Sequence, residues 1–83
     1  MGAHDRDIMR IRLKLMGMLK ARTPEGGALE VADGATIEDA LHALGLAPQA
    51  THAVSVNGQL ERDRRRALAP NDELTIIPPV GGG

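Results

Sequence analysis

The chain contains no cysteine and no aromatic residue. The lack of cysteine excludes disulfides, thiolate metal sites and cysteine nucleophiles. The lack of aromatic rings removes the stacking platforms on which proteins usually bind single-stranded nucleic acids. The core must therefore consist of aliphatic side chains and methionines.

The chain also lacks an excess of charge and a long apolar run. Ten Lys plus Arg stand against 11 Asp plus Glu, a net charge of -1, so no strong field favours a polyanionic partner. The basic run from Arg62 to Arg66 is interrupted by Asp63. A solvated loop is the favoured interpretation of this run, and a phosphate site is the alternative. With no apolar run, the sequence predicts neither a signal peptide nor a spanning helix, and the expected compartment is the cytoplasm.

Alternating apolar residues predict an N-terminal strand that begins at Met9 and buries Met9, Ile11, Leu13 and Leu15. The alternation breaks around Gly17, which predicts a bulge or bend and a strand end near Lys20. Turn residues at 22–27 precede a second alternating stretch, Leu29 to Val31, so these two strands should pair antiparallel.

A short helix is predicted from Ile37 to Leu44. Thr36 is the N-cap, Asp39 completes a capping box, and apolar residues follow at helical spacing. Gly45 has the features of a C′ residue, and Pro48 prevents the helix from continuing.

Three further strands complete the pattern: 53–56, a short return strand at 59–61 after the Asn57-Gly58 turn, and 73–77. This order predicts an α+β roll, one mixed sheet of four to five strands with one helix across one face. The outward face should be polar, carrying Arg10, Arg12, Lys14, Glu30 and Thr75. Residues 9–79 form the predicted domain, 1–8 a disordered N-terminal extension, and 80–83 a flexible tail.

The C-terminal tail is the best candidate for chemistry. After Pro78-Pro79-Val80 the chain ends in Gly81, Gly82 and Gly83. Glycines can enter a slot too narrow for side chains, and the terminal carboxylate is sterically open. An extended tail from Val80 to Gly83 reaches roughly 13 Å. The alternative interpretation is a frayed end without function.

The chain resembles the MoaD/ThiS family of ubiquitin-like sulfur carriers. The resemblance rests on the segment Asp33 to Leu41, the Val54 to Gly58 hairpin, Asn71-Asp72-Glu73-Leu74, and the ending Ile77 to Gly83. It implies a β-grasp fold. It also implies that an ATP-dependent activating enzyme adenylates Gly83 and that sulfur then replaces the adenylate, leaving a thiocarboxylate.

The same resemblance implies how the remaining tail residues act. Pro79, Val80, Gly81 and Gly82 would thread Gly83 into partner active sites. The Pro-Pro-Val ending favours the small subunit of molybdopterin synthase over thiamine-type or other carriers, although Ile77 stands where many such relatives have an aromatic residue. The implied partners are the adenylating enzyme and a sulfur-accepting synthase subunit, such as a molybdopterin synthase large subunit or a thiazole synthase. The free chain is expected to be a monomer.

No independent catalytic role is predicted. The three histidines, His4, His42 and His52, lack metal-ligand spacing and a paired nucleophile, so neither a metal site nor a bound cofactor is expected. ATP would be used by the partner enzyme. The chain is thus expected to be a carrier and not an enzyme.

Two alternatives of other classes stay open. A ubiquitin-like modifier would be joined through Gly83 to lysines of other proteins, because the same activated acyl group serves both reactions. A non-covalent β-grasp interaction domain would have an idle tail. For docking of the activating enzyme, the apolar content near the tail indicates Met16, Met18 and Ile77.

Overall fold

Five strands and one α-helix make up the computed structural model, which describes residues 7–47 and 50–79. The strands are β1 (Ile8–Leu15), β2 (Ala28–Ala32), β3 (Ala53–Val56), β4 (Gln59–Glu61) and β5 (Glu73–Ile77), and the helix is α1 (Ile37–Ala43). Two 3₁₀ helices, Gly17–Arg22 and Glu25–Gly27, lie between β1 and β2. Within the described ranges no helix is long and apolar enough to cross a membrane.

The five strands form one mixed sheet in the order β2-β1-β5-β3-β4. β1 and β5 are parallel neighbours at the centre, while β1–β2, β3–β5 and β3–β4 are antiparallel. The predicted mixed sheet with a single helix is confirmed, and so is the first hairpin. β1 starts at Ile8, one residue before the predicted domain start.

Strict alternation sorts the side chains of β1 between the two faces of the sheet. Met9, Ile11, Leu13 and Leu15 are buried, and the residues between them are exposed. The outward face is polar, as predicted, and Arg10 lies opposite Glu30 with 3.7 Å between guanidinium and carboxylate. Both side chains are more than 60% exposed, so solvent screens this pair and its contribution to stability is small.

The segment after β1 differs from the prediction. β1 ends at Leu15, and Gly17–Arg22 is a 3₁₀ helix that buries Leu19, so a strand extending to Lys20 is wrong. The physical cause is the backbone of Gly17, whose φ of +55° lies outside the strand region.

The N-terminus of α1 is capped as predicted. The Thr36 side chain accepts a hydrogen bond from the Asp39 N–H at 3.2 Å, and the Asp39 carboxylate accepts from the Thr36 N–H at 3.0 Å. This backbone hydrogen bond lowers the pKa of Asp39. Because the folded state has the lower pKa, the carboxylate stabilises the fold above the ordinary aspartate pKa, and this contribution is lost as the pH falls below it.

The C-terminus of α1 is a Schellman motif. The Leu46 N–H donates to the Leu41 carbonyl at 3.0 Å and the Gly45 N–H to the His42 carbonyl at 3.0 Å. Gly45 has a φ of +72°, and Leu46 is buried. The predicted glycine stop is therefore confirmed, and it ends the helix one residue earlier, at Ala43.

Replacing Thr36 by alanine should destabilise the domain by about 1 kcal/mol, because the Asp39 N–H loses its acceptor at the helix end. The melting temperature should fall by about 4–8 °C. Thr36→Ser keeps the hydroxyl acceptor and is the matched control. Thermal unfolding followed by circular dichroism gives both values, and equal stability of the two variants would contradict this role.

Candidate functional site

The tail begins at the centre of the sheet, where β5 ends. Leu74 and Ile76 of β5 are completely buried, and Ile77 is half-buried on the opposite face. The Ile76 carbonyl accepts from the Met16 N–H at 3.0 Å, and the Ile77 carbonyl accepts from the His52 N–H at 2.8 Å. The last two residues of β5 are therefore held from both neighbouring strands, so the departure point of the tail is anchored.

Pro78 then packs against Gly17. A Cβ atom built on Gly17 would lie 3.1 Å from Cγ of Pro78, closer than ordinary van der Waals contact. Glycine is favoured at this position for two independent reasons, the φ of +55° and the close approach of the proline ring. The 3₁₀ helix after β1 thus supports the first residue that leaves β5.

The three predicted docking residues lie around this departure point but do not share one face. Met16 is extended and follows the buried Leu15, so it points outward, 40% exposed, as does Ile77 after the buried Ile76. Met18 is 76% exposed and lines a shallow cavity that also includes Gly45 and Ala47. The structure therefore brings Met16 and Ile77 together and places Met18 toward the end of α1. Docking at these residues stays a prediction.

The tail itself lies beyond the described residues. Pro79 is described and exposed, whereas the predicted threading residues Val80, Gly81 and Gly82 and the predicted reacting residue Gly83 are outside the described ranges. What the structure contributes is the base of the site: Pro79 leaves the domain from the middle strand of the sheet, next to Met16 and Ile77.

Side chains near this base offer no catalytic set of their own. Among residues 7–47 and 50–79, no three His, Asp or Glu side chains are grouped so that they could hold a metal ion. His42 and His52 are both exposed, and His4 lies outside the described residues. The arrangement can present a C-terminal peptide to another protein.

Comparison with known families identifies the class of protein. The sequence profile of the ThiS family matches residues 13–83, which is most of the chain and includes the terminal glycines. The chain belongs to the ThiS family.

Solved structures of related proteins agree with this assignment. The solution structure of the Haloferax volcanii HVO 2177 protein is similar with a TM-score of 0.71 and 26% identity, covering 93% of this chain and 89% of that one. The crystal structure of SAMP1 from Haloferax volcanii has a TM-score of 0.63 and 30% identity, covering 89% and 99%. No curated protein matches the sequence.

A third structure is similar in fold alone. The complex of subunits 1 and 2 of molybdopterin-converting factor from Helicobacter pylori matches with a TM-score of 0.59 and 16% identity, covering 90% of this chain and 100% of that one. Together the comparisons confirm the β-grasp fold and the MoaD/ThiS resemblance. By these comparisons the chain is a ubiquitin-like sulfur carrier or modifier.

Sequence reasoning missed two contacts at the base of the tail. The first is the packing of Pro78 on Gly17, and the second is the hydrogen bond that His52 donates to Ile77. A glycine two residues after the last buried residue of β1 was a usable signal for a positive φ. Neither partner could be named from the sequence, because both contacts join distant segments of the chain.

Replacing Gly17 by alanine should destabilise the fold by more than the about 1–2 kcal/mol that a left-handed residue costs, because the new Cβ also meets Pro78. Gly26→Ala is the matched control, since Gly26 has a φ of +83° and nothing within 4 Å of its Cβ position. Urea unfolding gives the two free energies. A cost for Gly17→Ala equal to or smaller than that of Gly26→Ala would rule out the contact.

Proposed function

We propose that this protein is a sulfur carrier whose C-terminal Gly83 is adenylated and converted to a thiocarboxylate. The observation that supports this most strongly is membership of the ThiS family over residues 13–83, a match that runs to the last glycine. The anchored end of β5 adds a physical argument: a firm base limits the motion of the tail to the few residues that enter the partner.

The reaction follows from the weakness of a carboxylate as an electrophile. In the proposed first step a carboxylate oxygen of Gly83 attacks the α-phosphorus of ATP and pyrophosphate leaves, so the acyl group gains a good leaving group. A sulfur nucleophile at the oxidation level of sulfide then attacks the acyl carbon and AMP departs, so the thiocarboxylate forms without an oxidant or reductant. The chain carries no cysteine, so the sulfur is stored on the glycine itself.

The partners in this proposal are proteins. An adenylating enzyme of the ubiquitin-activating type binds ATP, and a sulfur-accepting synthase subunit receives the sulfur. The carrier binds no cofactor of its own and is not an enzyme. A molybdopterin-type pathway is favoured by the Pro78-Pro79-Val80 ending, and thiamine-type or other acceptors are the alternatives.

A second candidate function is protein modification. It is favoured by the 30% identity to SAMP1, a protein described as a small archaeal modifier. The activated Gly83 acyl group would then be attacked by a lysine amine of another protein. The two functions share the adenylation step. They differ only in the nucleophile that then attacks the acyl group, a sulfur donor or a lysine amine.

The first test is ATP–pyrophosphate exchange catalysed by the host's activating enzyme. We expect exchange that depends on the carrier and is abolished when Gly83 is deleted, because the reacting carboxylate is displaced by one residue. A chain lacking residues 2–6 is the matched control and should retain the exchange. Equal exchange with and without Gly83 would exclude activation at the C-terminus.

The modifier function is tested separately, by searching digests of host proteins for branched peptides. No Lys or Arg follows Arg66, so trypsin would leave residues 67–83 attached to the modified lysine. Such branches would support modification, and their absence from cells that accumulate the thiocarboxylate would exclude it.

Docking of the activating enzyme at Met16 and Ile77 is tested by Met16→Glu. We expect KM for the carrier to rise about tenfold with kcat unchanged, because burying a methionine at an interface is worth about 1.5–3 kcal/mol. Ile8→Glu is the matched control: Ile8 is 61% exposed, points outward and lies at the other end of β1. Equal KM values for the two variants would place docking elsewhere.

A further inference from the structure

The arginine-rich loop after β4 lines two cavities that the proposed function does not use. The first, of about 180 Å³, lies along α1 and is lined by Leu41, Leu46, His42, Glu38 and Arg64. The second, of about 350 Å³, lies along β4 and is lined by Leu60, Arg62, His52 and, again, Arg64. Arg64 lines both cavities, which are together called the Arg64 groove here.

This loop is mostly exposed, as the sequence favoured, and its backbone is also held in place by hydrogen bonds. The carbonyls of Arg64 and Arg66 accept from the N–H groups of Glu38 and Ile37 in the first turn of α1, at 2.9 and 3.1 Å. The Asp63 side chain accepts from the Arg65 N–H at 2.9 Å. A loop that is ordered beforehand loses little entropy when a ligand binds.

The charge of the Arg64 groove is positive at one end. Glu61 is the acid beside the second cavity, and its carboxylate is already used by Arg66 at 3.1 Å and by the Asp63 N–H at 3.0 Å. Within residues 7–47 and 50–79, neither Arg62 nor Arg64 forms an ion pair. Two guanidinium groups at the β4 end are therefore available to carboxylates.

The other end of the Arg64 groove is apolar. Its cavity is lined mainly by apolar surface from Leu41 and Leu46, with Glu38 at the rim. A cavity of about 150 Å³ lined by Leu, Ile and Phe side chains can hold benzene. A cavity of about 180 Å³ is therefore large enough for one branched aliphatic side chain. The Glu38 carboxylate disfavours a second acid at this end.

We propose that the Arg64 groove binds an acidic linear segment of a partner protein, with one aliphatic side chain beside Leu41 and Leu46 and carboxylates at Arg62 and Arg64. A nucleic acid is a poorer fit to the same surface. The chain has no aromatic residue for stacking and a net charge of -1, and half of the groove is apolar.

Binding is tested with the unmodified ¹⁵N-labelled chain and a short synthetic peptide in which a run of glutamates precedes one leucine. We expect amide shifts at Leu41, Leu46, Leu60 and Arg64. Peptides with glycine for leucine, or glutamine for glutamate, should each bind about tenfold more weakly. The measurement uses no ATP and no activating enzyme, so its result is independent of the proposed function.

Arg64→Gln should raise Kd for the peptide about tenfold, because it removes a charge-assisted contact at the centre of the groove. The substitution leaves in place the Arg64 carbonyl that accepts from the Glu38 N–H in α1. Arg62→Gln provides a second variant at a residue that makes no such bond to α1. Arg65→Gln is the matched control, since Arg65 is exposed in the same loop and lines neither cavity. Its Kd should stay within about twofold of the original.

Three results would overturn the proposal. The first is the absence of shifts up to about 5 mM peptide, a concentration at which even a millimolar site is mostly filled. The second is an equal loss of affinity for Arg64→Gln and Arg65→Gln, which would mean attraction by net charge alone. The third is tighter binding of a uridine oligonucleotide than of the peptide at the same residues, which would mean a nucleic-acid surface.

Discussion

The parallel pairing of β1 with β5 organises the sheet and sets where the chain leaves it. It joins the first and last strands at the centre of the sheet, with Leu13 opposite Leu74 and Leu15 opposite Ile76. All four side chains are buried. Parallel neighbours need a long crossover, and β2, α1, β3 and β4 supply it. One consequence is that the chain leaves the fold from its most protected strand.

That exit is held by contacts on both sides. Met16 and His52 donate to the carbonyls of Ile76 and Ile77, and Gly17 supports the ring of Pro78. The Asn57 turn secures the other end of β5: its amide oxygen accepts from the Glu73 N–H at 2.9 Å, and its amide nitrogen donates to Asp72 at 2.9 Å. The tail therefore starts from a firm base, which suits the proposed carrier function.

Local signals predicted much of the fold. Alternation identified the strands, Thr36 and Asp39 identified the start of the helix, and Asn57-Gly58 identified a turn in which both φ angles are positive. Long-range contacts could not be predicted in this way. The carbonyls of Arg64 and Arg66 that cap α1 come from a loop whose composition alone favoured solvent exposure. Periodicity describes each element by itself and does not specify which loop meets which helix end.

At the candidate site, too, local features could be predicted from the sequence and long-range contacts could not. The terminal glycines and the Pro78-Pro79 pair were evident from the sequence, because their chemistry lies in the residues themselves. The neighbours of the tail were predicted only in part: Met16 and Ile77 lie together, while Met18 faces the end of α1, because the 3₁₀ helix replaces the expected strand. The Arg64 groove was not predicted, since its lining residues come from α1, β4 and two loops.

Whether Gly83 carries sulfur is decided by the intact mass of the chain after incubation with the activating enzyme, ATP and a sulfur donor. We expect a gain equal to the replacement of one oxygen by sulfur, located in the C-terminal peptide after Arg66 and absent from a chain without Gly83. The control is an established carrier that the same enzyme and sulfur donor convert in parallel. If that control gains mass and this chain does not, Gly83 does not carry sulfur.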